Sequence, residues 1–167
     1  MTPALLNGQS DGAPGPVTIA MLEDIGWTVA EAGGGEPTPP ANDNFADAAA
    51  ANLKSAKTAT TTDATLEVDE PQPACATATD KTVWFSYTPG TNKTVIAKTA
   101  GSDFDTVMAV YTGTDLATLT PFACNDDRAV DNLSKLNLTL TGGTTYWFQV
   151  GGAGGASGSL TFRLKKP

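Results

Sequence analysis

The feature that most restricts the fold of this chain is a series of short segments in which apolar and polar residues alternate. In one segment Val83, Phe85 and Tyr87 occupy every second position. A period of two places such side chains on one face of a β-strand. The pattern recurs at Leu136, Leu138 and Leu140, at Tyr146, Phe148 and Val150, and at Leu160, Phe162 and Leu164. Most of the chain after about residue 60 is therefore predicted to be strand.

Turn-forming residues separate these segments. They are Pro89-Gly90, Gly101-Ser102, Gly113-Thr114, Gly142-Gly143 and the glycine-rich run 151–158. Glycine and proline favour the backbone angles of tight turns. Seven or eight short antiparallel strands, each with one apolar face, predict an all-β fold: an antiparallel β-sandwich with a jelly-roll-like topology.

The first 41 residues follow a different pattern. Val17, Met21 and Ile25 recur at helical spacing, and Trp27 follows them. We therefore predict three regions: a short helical arm in residues 1–30, a Gly/Pro linker at 31–41 and the β-sandwich at 42–167. The sandwich region begins with an Ala-rich stretch, 42–53, which predicts a helical turn capped by Asn42 or Asp43.

Charge and composition exclude several functions. The 167-residue chain has no histidine, which removes Ser-His and Cys-His nucleophile pairs and HExxH zinc sites. Its 18 acidic and 10 basic residues give a net charge of -8. That charge repels phosphate backbones and anionic lipids but suits hard cations, so we expect neither nucleic acid nor membrane as a partner. We predict that the chain is not an enzyme.

The two cysteines indicate the compartment. Cys75 and Cys124 are far apart in the sequence and form no CxxC motif. An even number of cysteines in a Thr-, Gly- and Asn-rich acidic chain favours one disulfide in an oxidising compartment. We therefore predict that Cys75 and Cys124 form a disulfide in a secreted protein. The alternative is that both cysteines are buried free thiols.

Several blocks of the sequence resemble, in order, the bacterial pre-peptidase C-terminal (PPC) domain. They are KTVWFSYTP, GSDFDTVMAVYTGTDLATLTPFACNDD and LTGGTTYWFQVGGAGGASGSLTFRL, within a resemblance that covers roughly residues 42–167. The resemblance implies a secreted, non-catalytic β-sandwich attached to peptidases or other hydrolases. Some members of this family bind calcium.

The N-terminal region is similar to the tail of a metzincin-like secreted zinc metallopeptidase. MTPALLNG looks like its Met-turn, with Met1 as the turn methionine, and GPVTIAMLEDIGW looks like its last helix. The resemblance implies that residues 1–30 are a peptidase remnant and that the zinc-binding helix belongs upstream. The apolar stripe of the arm would then lack its original partner. We expect the arm to dock on its own sandwich or, head to tail, on a neighbouring copy.

Acidic residues form the strongest candidate site. Asp103 and Asp105 are two positions apart and could point to one side of an extended segment. Asn125, Asp126 and Asp127 supply a second group of oxygens. Two such loops could hold Ca²⁺, which takes six to eight oxygen ligands in irregular geometry. The alternatives are aspartates that form turns and caps at strand ends, and a hydrolytic carboxylate pair. The PPC resemblance favours calcium.

Two further patterns suggest surface features. Asn92, Asn132 and Asn137 each begin an N-glycosylation acceptor motif, although a Thr- and Asn-rich chain also produces such motifs by chance. Trp84, Trp147, Tyr111 and Tyr146 could form a surface that binds sugar or peptide, or they could pack in the core and across strands. Trp84 and Trp147 lie out of phase with the apolar faces of their strands, which allows exposure, whereas Tyr146 is expected in the core.

The sequence therefore predicts a calcium-binding, non-catalytic extracellular accessory domain of a secreted peptidase. One alternative is a structural subunit that assembles into a filament through its N-terminal arm. Another is a targeting module that binds extracellular protein or polysaccharide.

Overall fold

The computed structural model describes residues 37–76, 79–127 and 131–167. The predicted arm, with Val17, Met21, Ile25 and Trp27, and most of the linker lie outside these residues. The described part contains 3-10 helices at Phe45–Asp47, Leu116–Thr118 and Ala153–Gly155. Its strands are β1 (Ala49–Ala50), β2 (Lys57–Thr60), β3 (Thr82–Tyr87), β4 (Lys93–Lys98), β5 (Thr106–Thr112), β6 (Thr120–Asn125), β7 (Lys135–Leu140), β8 (Tyr146–Gly152) and β9 (Ser159–Lys165).

The strands form two sheets. Sheet I has the order β1-β3-β8-β5-β6, and sheet II has the order β2-β9-β4-β7. Successive strands from β2 to β9 mostly alternate between the sheets, and 3-8-5-6 facing 2-9-4-7 is the strand order of a jelly roll. The pairs are antiparallel except that β1 runs parallel to β3. The predicted all-β sandwich is confirmed.

The inner faces of the sheets form the main core. The alternating residues that the sequence predicted are buried there, including Val83, Phe85, Leu138, Tyr146 and Phe148. From sheet II, Phe162 stacks on Phe85 with ring centroids 4.4 Å apart and contacts Phe148 at 5.2 Å. Apolar area removed from water on both inner faces is the main stabilising contribution to this fold.

The outer face of sheet I carries a second, smaller core. Phe45, Trp84, Ala109 and Tyr111 are buried there. Phe45 packs edge-on against Trp84 at 5.2 Å. Trp84 is thus fully buried, although its phase in β3 allowed exposure, and Trp147 is half-buried. Because both faces of sheet I are covered here, residues in both phases of β5 are buried.

The predicted helical turn in residues 42–53 is largely wrong. Only Phe45–Asp47 forms a 3-10 turn, and β1 instead pairs with β3. Neither predicted cap residue caps a helix: the Asn42 side chain donates to the Trp84 carbonyl at 2.9 Å, and the Asp43 carboxylate accepts bonds from Thr65. Pairing with β3 overrides the modest helix propensity of a short Ala-rich stretch.

The predicted disulfide is confirmed. Cys75 and Cys124 are bonded, with Cα atoms 5.8 Å apart. The bond ties the loop before β3 to the end of β6, which among the described strands is an edge strand paired with β5. Within the described ranges, no helix has the length and apolar character needed to cross a membrane.

Candidate metal site

The start of β5, the end of β6 and the start of β7 meet at one end of the sandwich. Asp105 immediately precedes β5, while Asp126 and Asp127 immediately follow β6. Because β5 and β6 are antiparallel, with Met108 opposite Asn125, the start of one strand lies beside the end of the other. Asp105 is thereby brought beside Asp126 and Asp127, which lie about twenty residues later in the sequence.

The three carboxylates form a compact group. One oxygen of Asp105, one of Asp126 and one of Asp127 all lie within 4.8 Å of one another. Asp105 and Asp126 are half-buried, and Asp127 is exposed. The Oδ1 atoms of Asp105 and Asp126 are buried and accept no hydrogen bond from any described residue. A buried acceptor without a partner is costly, so these two oxygens suit an external ligand.

The electrostatics of the group favour a cation. Burial raises the pKa of Asp126, and the charges of Asp127 and Asp105 raise it further. Both effects disfavour the ionised carboxylate. A bound divalent cation would offset the repulsion and give a partner to the two Oδ1 atoms that no described residue contacts by a hydrogen bond.

Neighbouring side chains hold the loop after β6. The Asn125 Oδ1 atom accepts a bond from the Lys135 backbone N–H at 2.7 Å, and its Nδ2 donates to the Asp127 carbonyl at 3.0 Å. Asn125 therefore supports the turn, and its side-chain oxygen is already occupied. On the other side, the Asn132 Nδ2 donates to Asp105 Oδ2 at 3.3 Å.

Buried hydroxyl groups lie next to the three carboxylates and were not predicted from the sequence. The Thr99 and Thr106 hydroxyls are 2.7 Å apart, and the Ser134 hydroxyl lies within hydrogen-bonding distance of the carbonyls of Thr106 and Asp126. These bonds join the end of β4 to the starts of β5 and β7. In a chain rich in threonine, nothing in the sequence separates these residues from surface ones.

Asp103 does not belong to the three-carboxylate group. Its Oδ1 accepts a bond from the Ser159 backbone N–H at 2.8 Å, and its own N–H donates to the Ser159 carbonyl. The chain bends at Asp103 and Phe104, so the rule that residues two apart share a side in extended backbone does not apply. Asp103 instead fastens this loop to the start of β9.

The three sequons lie in exposed positions. Asn137 is on β7, and Asn92 accepts a bond from the Gly142 N–H at 2.8 Å through Oδ1. A glycan on Asn132 would use the nitrogen that now donates to Asp105.

Glu70 is a buried carboxylate in the connection between β2 and β3. Glu70 Oε1 accepts bonds from the Thr82 hydroxyl and from Gln149 Nε2, the latter at 2.7 Å. Tyr111 donates its hydroxyl to Gln149 Oε1 at 2.9 Å. Burial raises the pKa of Glu70. Since this network is enclosed and its hydrogen bonds are satisfied, it serves to fasten the loop to the sheet.

A groove beside the disulfide, of about 220 Å³, is largely apolar. Its nine lining residues include Tyr111, Phe122 and Cys124, and none is acidic or basic. Phe122 is part-exposed and packs edge-on against Tyr146. The groove therefore offers no acid–base pair for hydrolysis.

No protein-family model matches the chain, and no curated protein matches it. One similar solved structure is a crystal structure of the pre-peptidase C-terminal domain of a collagenase from Bacillus anthracis. It is 12% identical, with a TM-score of 0.47, over 71% of this chain and 94% of that one. Shared function does not follow from a likeness at this level.

Proposed function

We propose that this chain is a calcium-binding, non-catalytic β-sandwich module that works outside the cell as an accessory domain of a secreted peptidase. The observation that carries the calcium assignment is the pair of buried Oδ1 atoms on Asp105 and Asp126, which accept no hydrogen bond from the part of the chain that the structure describes. Turn aspartates normally use their oxygens on backbone N–H groups, as Asp103 does.

The donor set favours calcium over other common metals. The group offers carboxylate oxygens from Asp105, Asp126 and Asp127. Zinc sites are usually built from histidine and cysteine, but the chain has no histidine and its two cysteines form the disulfide. Magnesium demands near-ideal octahedral geometry, whereas calcium accepts an irregular set completed by carbonyls and water.

The remaining parts of the proposal have separate support. The disulfide fits an oxidising, extracellular compartment. The absence of histidine and the apolar groove argue against catalysis. Association with a peptidase rests on the resemblance of residues 42–167 to PPC domains and of residues 1–30 to a peptidase tail. Polymer targeting has less support, because Trp84 is buried and the Trp147 indole N–H already donates to the Gly113 carbonyl.

Calcium binding is tested by thermal unfolding in calcium and in chelator. A ligand that binds only the folded state adds about 2.7 kcal/mol at a concentration of 100 Kd. We expect millimolar calcium to raise the Tm of the wild type. Asp126→Asn should abolish this response and leave the chelated protein as stable or more stable, because it removes a repelling charge.

Asp103→Asn is the matched control. It should lower the Tm, since it weakens the link to Ser159, but it should keep the calcium response. A wild type whose Tm is the same in calcium and in chelator would reduce Asp105, Asp126 and Asp127 to ordinary loop aspartates.

A further inference from the structure

Four of the ten basic residues lie on the outer face of sheet II. They are Lys98, Lys135, Arg163 and Lys165. Lys98 is directly opposite Lys135 on one side and Arg163 on the other, and Lys165 is opposite Ile96. Residues opposite each other project from the same face, so these four cations and the half-buried Ile96 form one surface. We call this surface the basic face.

The basic face is unfavourable for the isolated domain. Like charges directly opposite each other across strands destabilise a sheet. Among residues 37–76, 79–127 and 131–167, no acidic side chain makes an ion pair with Lys98, Lys135, Arg163 or Lys165. An arrangement of this kind in a chain of net charge -8 suits an acidic partner from outside the domain.

The opposite side of the sandwich carries complementary features. Residues 66–69, here called the acidic loop, have the sequence Leu-Glu-Val-Asp. The loop lies over sheet I, because the Glu67 carboxylate accepts a bond from the Phe45 N–H and Phe45 packs on Trp84. Leu66 is 43% exposed and Val68 is 86% exposed. Asp47 and Asp115 add exposed charges on this side, near the same outer core.

We infer that the basic face binds a second copy of this chain through that copy's acidic loop. Glu67 and Asp69 supply charges opposite to those of the basic face, and Val68 supplies an aliphatic group for Ile96. Leu66 and Val68 are large aliphatic side chains that the domain leaves exposed, so they are available for an apolar contact with Ile96. The inference is independent of the calcium site, which lies at the strand ends.

The placement of the two surfaces determines the type of assembly. They lie on opposite faces of the sandwich, so a contact between them is heterologous and leaves one free surface on each copy. Heterologous contacts produce rings when the rotation closes and filaments when it does not. The contact between exposed charges should weaken as salt rises, because ions screen it.

Two variants test the contact. In the face variant, Arg163→Glu with Lys165→Glu, the carboxylate introduced at position 163 would be opposite Lys98, so the fold should be at least as stable as the wild type. In the loop variant, Val68→Lys with Asp69→Asn, both changes are exposed, and asparagine tolerates the left-handed backbone of Asp69, whose φ is 66°. Thermal unfolding checks that both variants fold and retain their calcium response.

The assay is sedimentation at low salt and constant calcium. The wild type should form species larger than dimers as its concentration rises, and each variant alone should remain monomeric. Mixed together, the two variants should form a 1:1 dimer and nothing larger, because each keeps the surface that the other has lost. The control Lys54→Glu with Lys166→Glu makes the same change in net charge as the face variant, at exposed sites outside the strands, and should assemble like the wild type.

Several results would overturn the inference. A wild type that stays monomeric at high concentration and low salt would do so, as would a mixture of the two variants that forms no dimer. Loss of assembly in the control would attribute the effect to net charge. A monomeric wild type that binds an acidic polysaccharide through Arg163 would assign the basic face to another partner.

Discussion

Removal of the disulfide should destabilise the sandwich by an amount that follows from its position in the chain. Cys75 and Cys124 are 49 residues apart. In the chain-entropy account, closing a loop of that length in the unfolded state stabilises the fold by about 4 kcal/mol at 25 °C. We expect the double variant Cys75→Ala/Cys124→Ala to lose roughly this amount, a large share of the roughly 5–15 kcal/mol that is typical of a domain.

Urea unfolding of the oxidised wild type, the reduced wild type and the double variant measures this loss. The m-value should increase in the variant, since an unfolded chain without the cross-link exposes more surface. Each single cysteine variant, measured with reductant, should match the double variant because one change already breaks the bond. A loss below about 1 kcal/mol would show that loop closure is not how this bond stabilises the fold.

The same variants separate an unfolded-state effect from a native-state effect. Cys124 directly precedes Asn125, whose side chain positions the loop of the acidic group. If the disulfide acts mainly on the unfolded chain, the calcium affinity of the folded variant should change less than about twofold, because the bonds of Asn125 to Lys135 and Asp127 remain. A tenfold loss, equivalent to about 1.4 kcal/mol, would mean that the bond shapes the site itself.

Two other predictions concern Phe162 in the core and Asp126 in the three-carboxylate group. Phe162→Ala should cost about 3–5 kcal/mol in urea unfolding, because Phe162 is fully buried against Phe85 and Phe148, and a loss below about 1 kcal/mol would contradict the packing described. Because the pKa of Asp126 is raised in the folded state, its protonated carboxyl group favours folding in chelator at low pH. This contribution to stability is lost as pH rises through the folded-state pKa. The calcium affinity should instead fall as pH is lowered, because protons compete with calcium for the same oxygens. Calorimetry at several pH values measures this affinity, and a constant value would exclude Asp126 as a ligand.

The strands were predictable where one face alone is apolar. Leu136, Leu138 and Leu140 in β7 follow the period of two, as do Leu160, Phe162 and Leu164 in β9, because both strands belong to sheet II, whose outer face is polar. Sheet I did not follow this rule. Ala109 and Tyr111 are in the outward phase of β5 but are buried in a cluster that includes the loop residues Phe45 and Leu116. Whether a loop covers a face is a property of the tertiary fold that a local period does not contain.

The group of three carboxylates at Asp105, Asp126 and Asp127 was only partly predictable. Asp105, Asp126 and Asp127 were expected together because two short acidic loops could jointly supply the oxygen ligands that calcium needs. Asp103 was assigned to the same group on an extended-chain rule that a bend in the backbone invalidates. The burial of individual oxygen atoms, which distinguishes Asp105 from Asp103, depends on how three strand ends meet and has no counterpart in the sequence.

The cover on the outer face of sheet I also determines where an excised version of this domain can begin. Phe45 shields Trp84, and Asn42 exchanges two hydrogen bonds with the Trp84 backbone. A fragment cut just before β2, where the sandwich proper starts, would expose Trp84 and Tyr111 to water and remove the edge partner of β3. Such a fragment should be prone to aggregation through that edge. A transplantable module therefore has to start no later than Pro40, whose carbonyl accepts the Asp43 N–H.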